Sequence, residues 1–119
     1  MESNLKNYIE KVFLDLGIPP NGKGYKYLIS ATILTEQTPA IMESFTKKLY
    51  PAVAAEYGTS AAATERAIRN SIETAWERCP AEISQKYFGN TISPRKGKPT
   101  NSEFIIRIHS VLKEQMEVR

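Results

Sequence analysis

Cysteine, histidine and long apolar runs are scarce in this chain of 119 residues, and each shortage excludes a class of protein. The single cysteine, Cys79, cannot form an internal disulfide or a multi-cysteine metal site, which fits a reducing cytosol. No apolar run approaches the roughly 20 residues that a membrane-spanning helix needs. The first residues, MESNLKNYIEK, mix charges where a signal peptide requires an apolar stretch. We therefore expect a cytoplasmic protein without a membrane partner.

Motifs for catalysis are also missing. The sequence contains no phosphate-binding glycine loop, no nucleophile motif and no metal-ligand spacing. His109 is the single histidine and lies beside an apolar stripe, so we expect a partly buried structural residue there. We accordingly expect no enzymatic activity, no catalytic residue, no metal and no cofactor.

Charge is nearly balanced along the chain. Sixteen basic and thirteen acidic residues give a net charge of only +3. A protein with so small an excess must concentrate its cations locally if it is to bind DNA phosphates. The hydrophobic content of 41% and the length suit one domain with a real core.

Apolar residues recur at helical spacing through most of the chain, and no alternating β pattern competes with them. Residues 5–16 predict an amphipathic helix that ends at Gly17, and a second helix is expected to start near Lys23. A helix capped by Thr38, with a proline in its first turn, should follow. Its expected core residues are Ile41, Phe45 and Leu49.

Helix signals continue in the second half of the chain. Residues 80–88 predict a short helix, and Thr100 with Glu103 forms a capping box that opens the last helix. Together the signals predict an all-α fold, a compact single domain of six helices that contains a helix-turn-helix.

The helix-turn-helix is predicted at about residues 51–77, which read PAVAAEYGTSAAATERAIRNSIETAWE. Ala54 presents a small side chain where the second helix should cross, and Gly58 permits positive φ in the turn. Thr59 or Ser60 can cap the second helix. This layout is typical of a DNA reader.

At about 100° per residue the second helix has one apolar face and one polar face. The face expected in the core carries Thr64, Ala67, Ile68, Ser71, Ile72, Ala75 and Trp76. The opposite face carries Ala62, Ala63, Arg66 and Asn70, flanked by Glu65 and Arg69. These polar residues lie on the early turns that a reading helix inserts into a major groove. The alternative is a solvated face on which Arg69 pairs with Glu65 and Glu73 at four-residue spacing.

A basic cluster precedes the last helix. Arg95, Lys96 and Lys98 are three cations within four residues, without an acid. Next to a helix N-terminus they predict a phosphate clamp, and the alternative is a merely solvated loop.

Four strings resemble one family: GYKYL at 24–28, KLYPAVAAEYGTS at 48–60, ERAIRNSIETAW at 65–76 and KPTNSEFI at 98–105. The family is the DNA-binding effector domain of the stage zero sporulation protein A response regulators. The resemblance implies a helix-turn-helix domain that binds short boxes of double-stranded DNA as head-to-tail pairs. It also implies contact with a sigma subunit of RNA polymerase. We expect no receiver domain within these 119 residues.

The resemblance also implies roles for single residues. Glu65 and Arg66 match two base-reading positions of the family, whereas Ala63 stands where the family has an arginine. We therefore expect base reading at Ala63, Glu65, Arg66, Arg69 and Asn70, phosphate binding at Ser60, Arg95, Lys96, Lys98, Thr100 and Asn101, and polymerase contact at Phe88 and Ile92. The competing hypothesis is a protein-interaction module that kept the fold but lost specific DNA reading at residues 61–63.

Overall fold

The computed structural model describes residues 2–89 and 97–117, with side chains for 4–89 and 97–115. Within these ranges the chain forms six α-helices and no strand, which confirms the all-α single domain. The helices are α1 (Glu2–Leu16), α2 (Lys23–Gln37), α3 (Tyr50–Tyr57), α4 (Ala61–Arg78), α5 (Ala81–Phe88) and α6 (Asn101–Glu117). None of the helices in this part of the chain is long and apolar enough to span a bilayer.

Two helix boundaries lie where the local sequence predicts them. Gly17 has a φ of 84°, and the backbone N–H groups of Gly17 and Ile18 both donate to the Phe13 carbonyl at 3.0 Å, which ends α1. At the start of α6 the backbone N–H of Thr100 donates to the Glu103 carboxylate at 2.8 Å, and the N–H of Glu103 donates to Thr100 Oγ1 at 3.2 Å. The predicted capping box is confirmed.

The prediction of one regular helix capped by Thr38 is wrong. Thr38 makes no side-chain cap, and Pro39–Glu43 forms a 3-10 helix that ends at Ser44, whose backbone is extended. Ser44 Oγ then accepts a hydrogen bond from the backbone N–H of Lys47 and caps a π-helical turn, Phe45–Leu49, that leads directly into α3. The serine offers the backbone a local hydrogen bond that competes with a continuous helix.

An aromatic cluster forms the centre of the core between α1, α4, α5 and α6. Phe13, Phe88 and Phe104 are fully buried, and the rings of Phe88 and Phe104 lie 5.5 Å apart. Trp76 of α4 packs edge-on against Phe88 at 5.0 Å and closes the cluster from its half-buried position. Edge-to-face aromatic pairs contribute about 0.5 to 1.5 kcal/mol beyond area burial, so the cluster anchors one face of α4.

The close packing of α2 on α4 depends on Gly24. An added Cβ at this position would lie 2.0 Å from Ser71 Oγ and 2.3 Å from the carbonyl oxygen of Ala67. Because no side chain can occupy that space, the backbone of α2 lies directly against α4. The glycine therefore sets the position of α4 in the domain.

Candidate nucleic-acid interface

The turn between α3 and α4 has the predicted chemistry. Gly58 adopts the left-handed conformation with a φ of 64°, and the backbone N–H groups of Gly58 and Thr59 both donate to the carbonyl of the buried Ala54. Ser60 is the cap of α4, since its Oγ accepts a hydrogen bond from the backbone N–H of Ala63 at 3.0 Å. Helix, three-residue turn and longer helix follow one another as the sequence predicts.

The structure confirms the predicted buried face of α4. Its buried residues are Thr64, Ile68, Ser71, Ile72 and Ala75, with Ala67 and Trp76 packed beside them. The exposed residues on the first three turns are Ala62, Arg66, Arg69 and Asn70, while Ala63 and Glu65 are half-buried. One face of α4 is thus buried in the core, and the other is exposed and can contact a partner.

The two arginines of this face differ in their ion pairing. Arg69 donates from Nη1 to both carboxylate oxygens of Glu65, at 3.1 and 3.3 Å. Such an exposed pair at four-residue spacing contributes about 0.3 to 0.5 kcal/mol. Arg66 is exposed and makes no ion pair with any residue that the structure describes. Its guanidinium is therefore the more accessible of the two to a ligand.

Lys98 is held by an acid of α4. Its Nζ lies 2.9 Å from Glu73 Oε2, and both side chains remain about half exposed. The hydrogen bond from Lys98 and its positive charge hold the pKa of the Glu73 carboxyl below its usual value. The segment before α6 is thereby tied to the helix that carries the arginines.

Asn101 joins three helices at the start of α6. Its Nδ2 donates to the hydroxyl of Tyr50 at 3.2 Å and to the carbonyl of Glu65 at 3.1 Å, and only 8% of the residue is exposed. Burial raises the pKa of the Tyr50 hydroxyl. The amide of Asn101 is thus occupied inside the protein, and only the backbone of this residue is left for a phosphate contact.

A groove of about 390 Å³ runs between α4 and the start of α6. It brings together several of the predicted base and phosphate contacts. Its lining includes Tyr50, Glu65, Arg69, Glu73, Lys98, Thr100 and Asn101. Acids and bases alternate along the groove, because Arg69 follows Glu65 and Lys98 meets Glu73. Sequence reasoning found the cations of this edge but not the tertiary contacts that restrain them.

The remaining predicted residues lie elsewhere. Phe88 is 1% exposed and packs in the aromatic cluster, so its own ring cannot form a contact surface for polymerase in this structure. Arg95, Lys96 and Ile92 lie outside the described residues. His109 is half-buried, and its Nδ1 lies 2.5 Å from a carboxylate oxygen of Glu36, which suits the structural role expected for it.

The structure therefore has the features of an all-α domain with a helix-turn-helix of the kind that binds DNA. Residues 9–112 match the model of the family described as Sporulation initiation factor Spo0A C terminal. The match covers nearly the whole chain, and the chain belongs to this family. Membership places it among the DNA-binding effector domains that regulate transcription in sporulation.

Proposed function

We propose that this chain is a sequence-specific transcription regulator of the sporulation-initiation type, and that residues 1–119 act as one DNA-binding effector domain in the cytoplasm. The observation that carries the proposal is Arg66, which is exposed on the second turn of α4, opposite a fully packed core face, and forms no ion pair with any residue that the structure describes. In helix-turn-helix proteins the early turns of the second helix contact base edges in the major groove. α4 accordingly enters double-stranded DNA with its N-terminal half.

Side chains on this face suit different bases. Arg66 can donate two hydrogen bonds to guanine, and Asn70 can pair with adenine in the same bidentate way. Glu65 can accept from cytosine and Arg69 can donate to guanine, but for each residue the base contact competes with the ion pair between the two. Ala63 offers only a methyl group, which can contact a thymine methyl.

Phosphate contacts border the same helix. Ser60 lies at the N-terminus of α4, and Thr100 lies at the N-terminus of α6, where backbone N–H groups attract anions. Lys98 precedes Thr100 along the groove, and the backbone of Asn101 follows it. We include Arg95 and Lys96 in this phosphate clamp because they extend the basic run of Lys98.

Two protein contacts complete the proposal. The proposal includes binding to a sigma subunit of RNA polymerase and tandem association of copies on DNA, as the resemblance in sequence implies. Because Phe88 is buried, we assign the polymerase contact to the exposed residues beside it on α5, Glu82, Gln85 and Lys86, together with Ile92.

The test is selection of the purified protein on random-sequence duplexes, followed by competition against bulk DNA at fixed salt. A DNA reader should enrich one box and bind it about 10³-fold or more tightly than a scrambled duplex. Equal affinity for all duplexes would contradict sequence-specific reading.

The second candidate is a protein-interaction module that kept the fold. It is favoured by the alanine run at residues 61–63, which presents only methyl groups on the first turn of α4. Such a module should bind a sigma subunit or a full-length regulator without preferring any DNA sequence. The selection experiment separates the two candidates directly.

Replacing Arg95 and Lys96 together by alanine should weaken binding to selected and scrambled duplexes by the same factor. Each phosphate contact releases DNA counterions, so the slope of log K against log salt should become shallower by about 0.9 for each lost contact. The control is Lys113→Ala, which removes an exposed charge about 18 Å from the start of α6 along its axis. A slope that stays at the parental value would mean that the basic run is merely solvated.

A further inference from the structure

Glu73 and Lys98 form an ion pair between distant parts of the chain. The two residues are 25 positions apart, and Lys98 Nζ donates to Glu73 Oε2 at 2.9 Å. Exposed fractions of 41% for Glu73 and 47% for Lys98 show that the pair lies at the surface. The Glu73 carboxylate therefore binds a cation, Lys98, at the edge of the proposed DNA interface.

The pair continues a row of charges along α4. Glu73 follows Arg69 by one helical turn, and Arg69 is itself bound to Glu65 one turn earlier. When a DNA phosphate approaches this edge, the charge of Lys98 is already neutralised by the Glu73 carboxylate, which is an anion like the phosphate. Lys98 can offer its full charge to the phosphate only if it leaves Glu73.

We propose that Glu73 is an internal competitor of the DNA phosphate for Lys98 and thereby lowers the affinity of the domain for any duplex. The inference rests on the proposed function, since it takes the DNA backbone as the ligand of Lys98. Glu73 acts through Lys98 and does not itself contact DNA. A contact between Lys98 and phosphate carries no base information, so Glu73 sets the affinity and leaves the sequence preference unchanged.

Salt dependence distinguishes this competition from ordinary repulsion. Lys98 neutralises a phosphate, and so releases a DNA counterion, only in complexes in which it has left Glu73. While the pair persists its net charge is zero, so Lys98 contributes little to the salt slope of the parent. Exposed ion pairs are weak, so a duplex phosphate can still displace Glu73 from Lys98.

The experiment is a double-mutant cycle of Glu73→Gln and Lys98→Ala, with titrations of a selected and a scrambled duplex at several salt concentrations. Glu73→Gln should bind both duplexes about two- to fivefold more tightly, as expected for release of a cation from an exposed pair. Its salt slope should be steeper by about 0.9, because Lys98 is then free to neutralise one more phosphate. In the Lys98→Ala background, Glu73→Gln should change neither the affinity for the duplexes nor the salt slope.

The matched control is Glu77→Gln, which removes an equal charge from an exposed position one turn further along α4. A gain from Glu77→Gln as large as that from Glu73→Gln, or effects of Glu73 and Lys98 that simply add, would overturn the inference. Failure of the parent to bind any duplex would instead overturn the proposed function and this inference with it. A thermal melt of each variant checks that it is folded.

Discussion

Gly24→Ala is expected to lower the free energy of unfolding by about 3 kcal/mol or more, as in strongly overpacked cores. The added Cβ would lie 2.3 Å from the carbonyl oxygen of Ala67, and a backbone atom of a helix cannot rotate away. It would also lie 2.0 Å from Ser71 Oγ. α2 must therefore separate from α4. The free energy lost through this separation exceeds the advantage of about 1 kcal/mol that alanine has over glycine in a helix.

The change is measured by chemical denaturation, with Gly22→Ala as the matched control. Gly22 has a φ of −87°, and the nearest atom to its added Cβ is 4.0 Å away, so alanine fits there. Adding Ser71→Gly to Gly24→Ala should recover part of the loss, because it removes the side chain but not the carbonyl oxygen of Ala67. Equal stability of Gly24→Ala and the parent would show that the two helices can move apart at little cost.

Features that depend on near neighbours in sequence were predictable. The stop at Gly17, the capping box of Thr100 with Glu103 and the cap at Ser60 each join residues no more than five positions apart. The buried face of α4 also follows from a local period of 3.6 residues. These features account for most of the fold and for the orientation of the candidate reading face.

Features that depend on tertiary contacts were not predictable in this way. Asn101 meets Tyr50 across 51 positions, and Lys98 meets Glu73 across 25. No sequence periodicity encodes such pairs. The cations of the interface were therefore predictable from the sequence, but the contacts that hold them in place were not. At residues 38–49 the apolar spacing suited an α-helix, but the side chain of Ser44 caps a separate turn.

Arg66→Ala is expected to reduce affinity for the selected duplex by about 1 to 3 kcal/mol, which is about 5- to 150-fold. The arginine is exposed and has no ion-pair partner among the described residues, so none of these must be displaced before it donates to guanine. Arg69→Ala should cost less, since a contact between Arg69 and a base competes with its ion pair to Glu65. Titration of both variants against the selected and scrambled duplexes measures the difference.

The control for Arg66 is Arg78→Ala, which removes the same charge about 18 Å further along the axis of α4. A charge effect alone would lower affinity for both duplexes, whereas loss of a base contact lowers affinity for the selected duplex far more than for the scrambled one. Discrimination should therefore fall in Arg66→Ala and persist in Arg78→Ala. If Arg66→Ala keeps the parental discrimination, Arg66 does not read a base, and the interaction module becomes the better account of this exposed face.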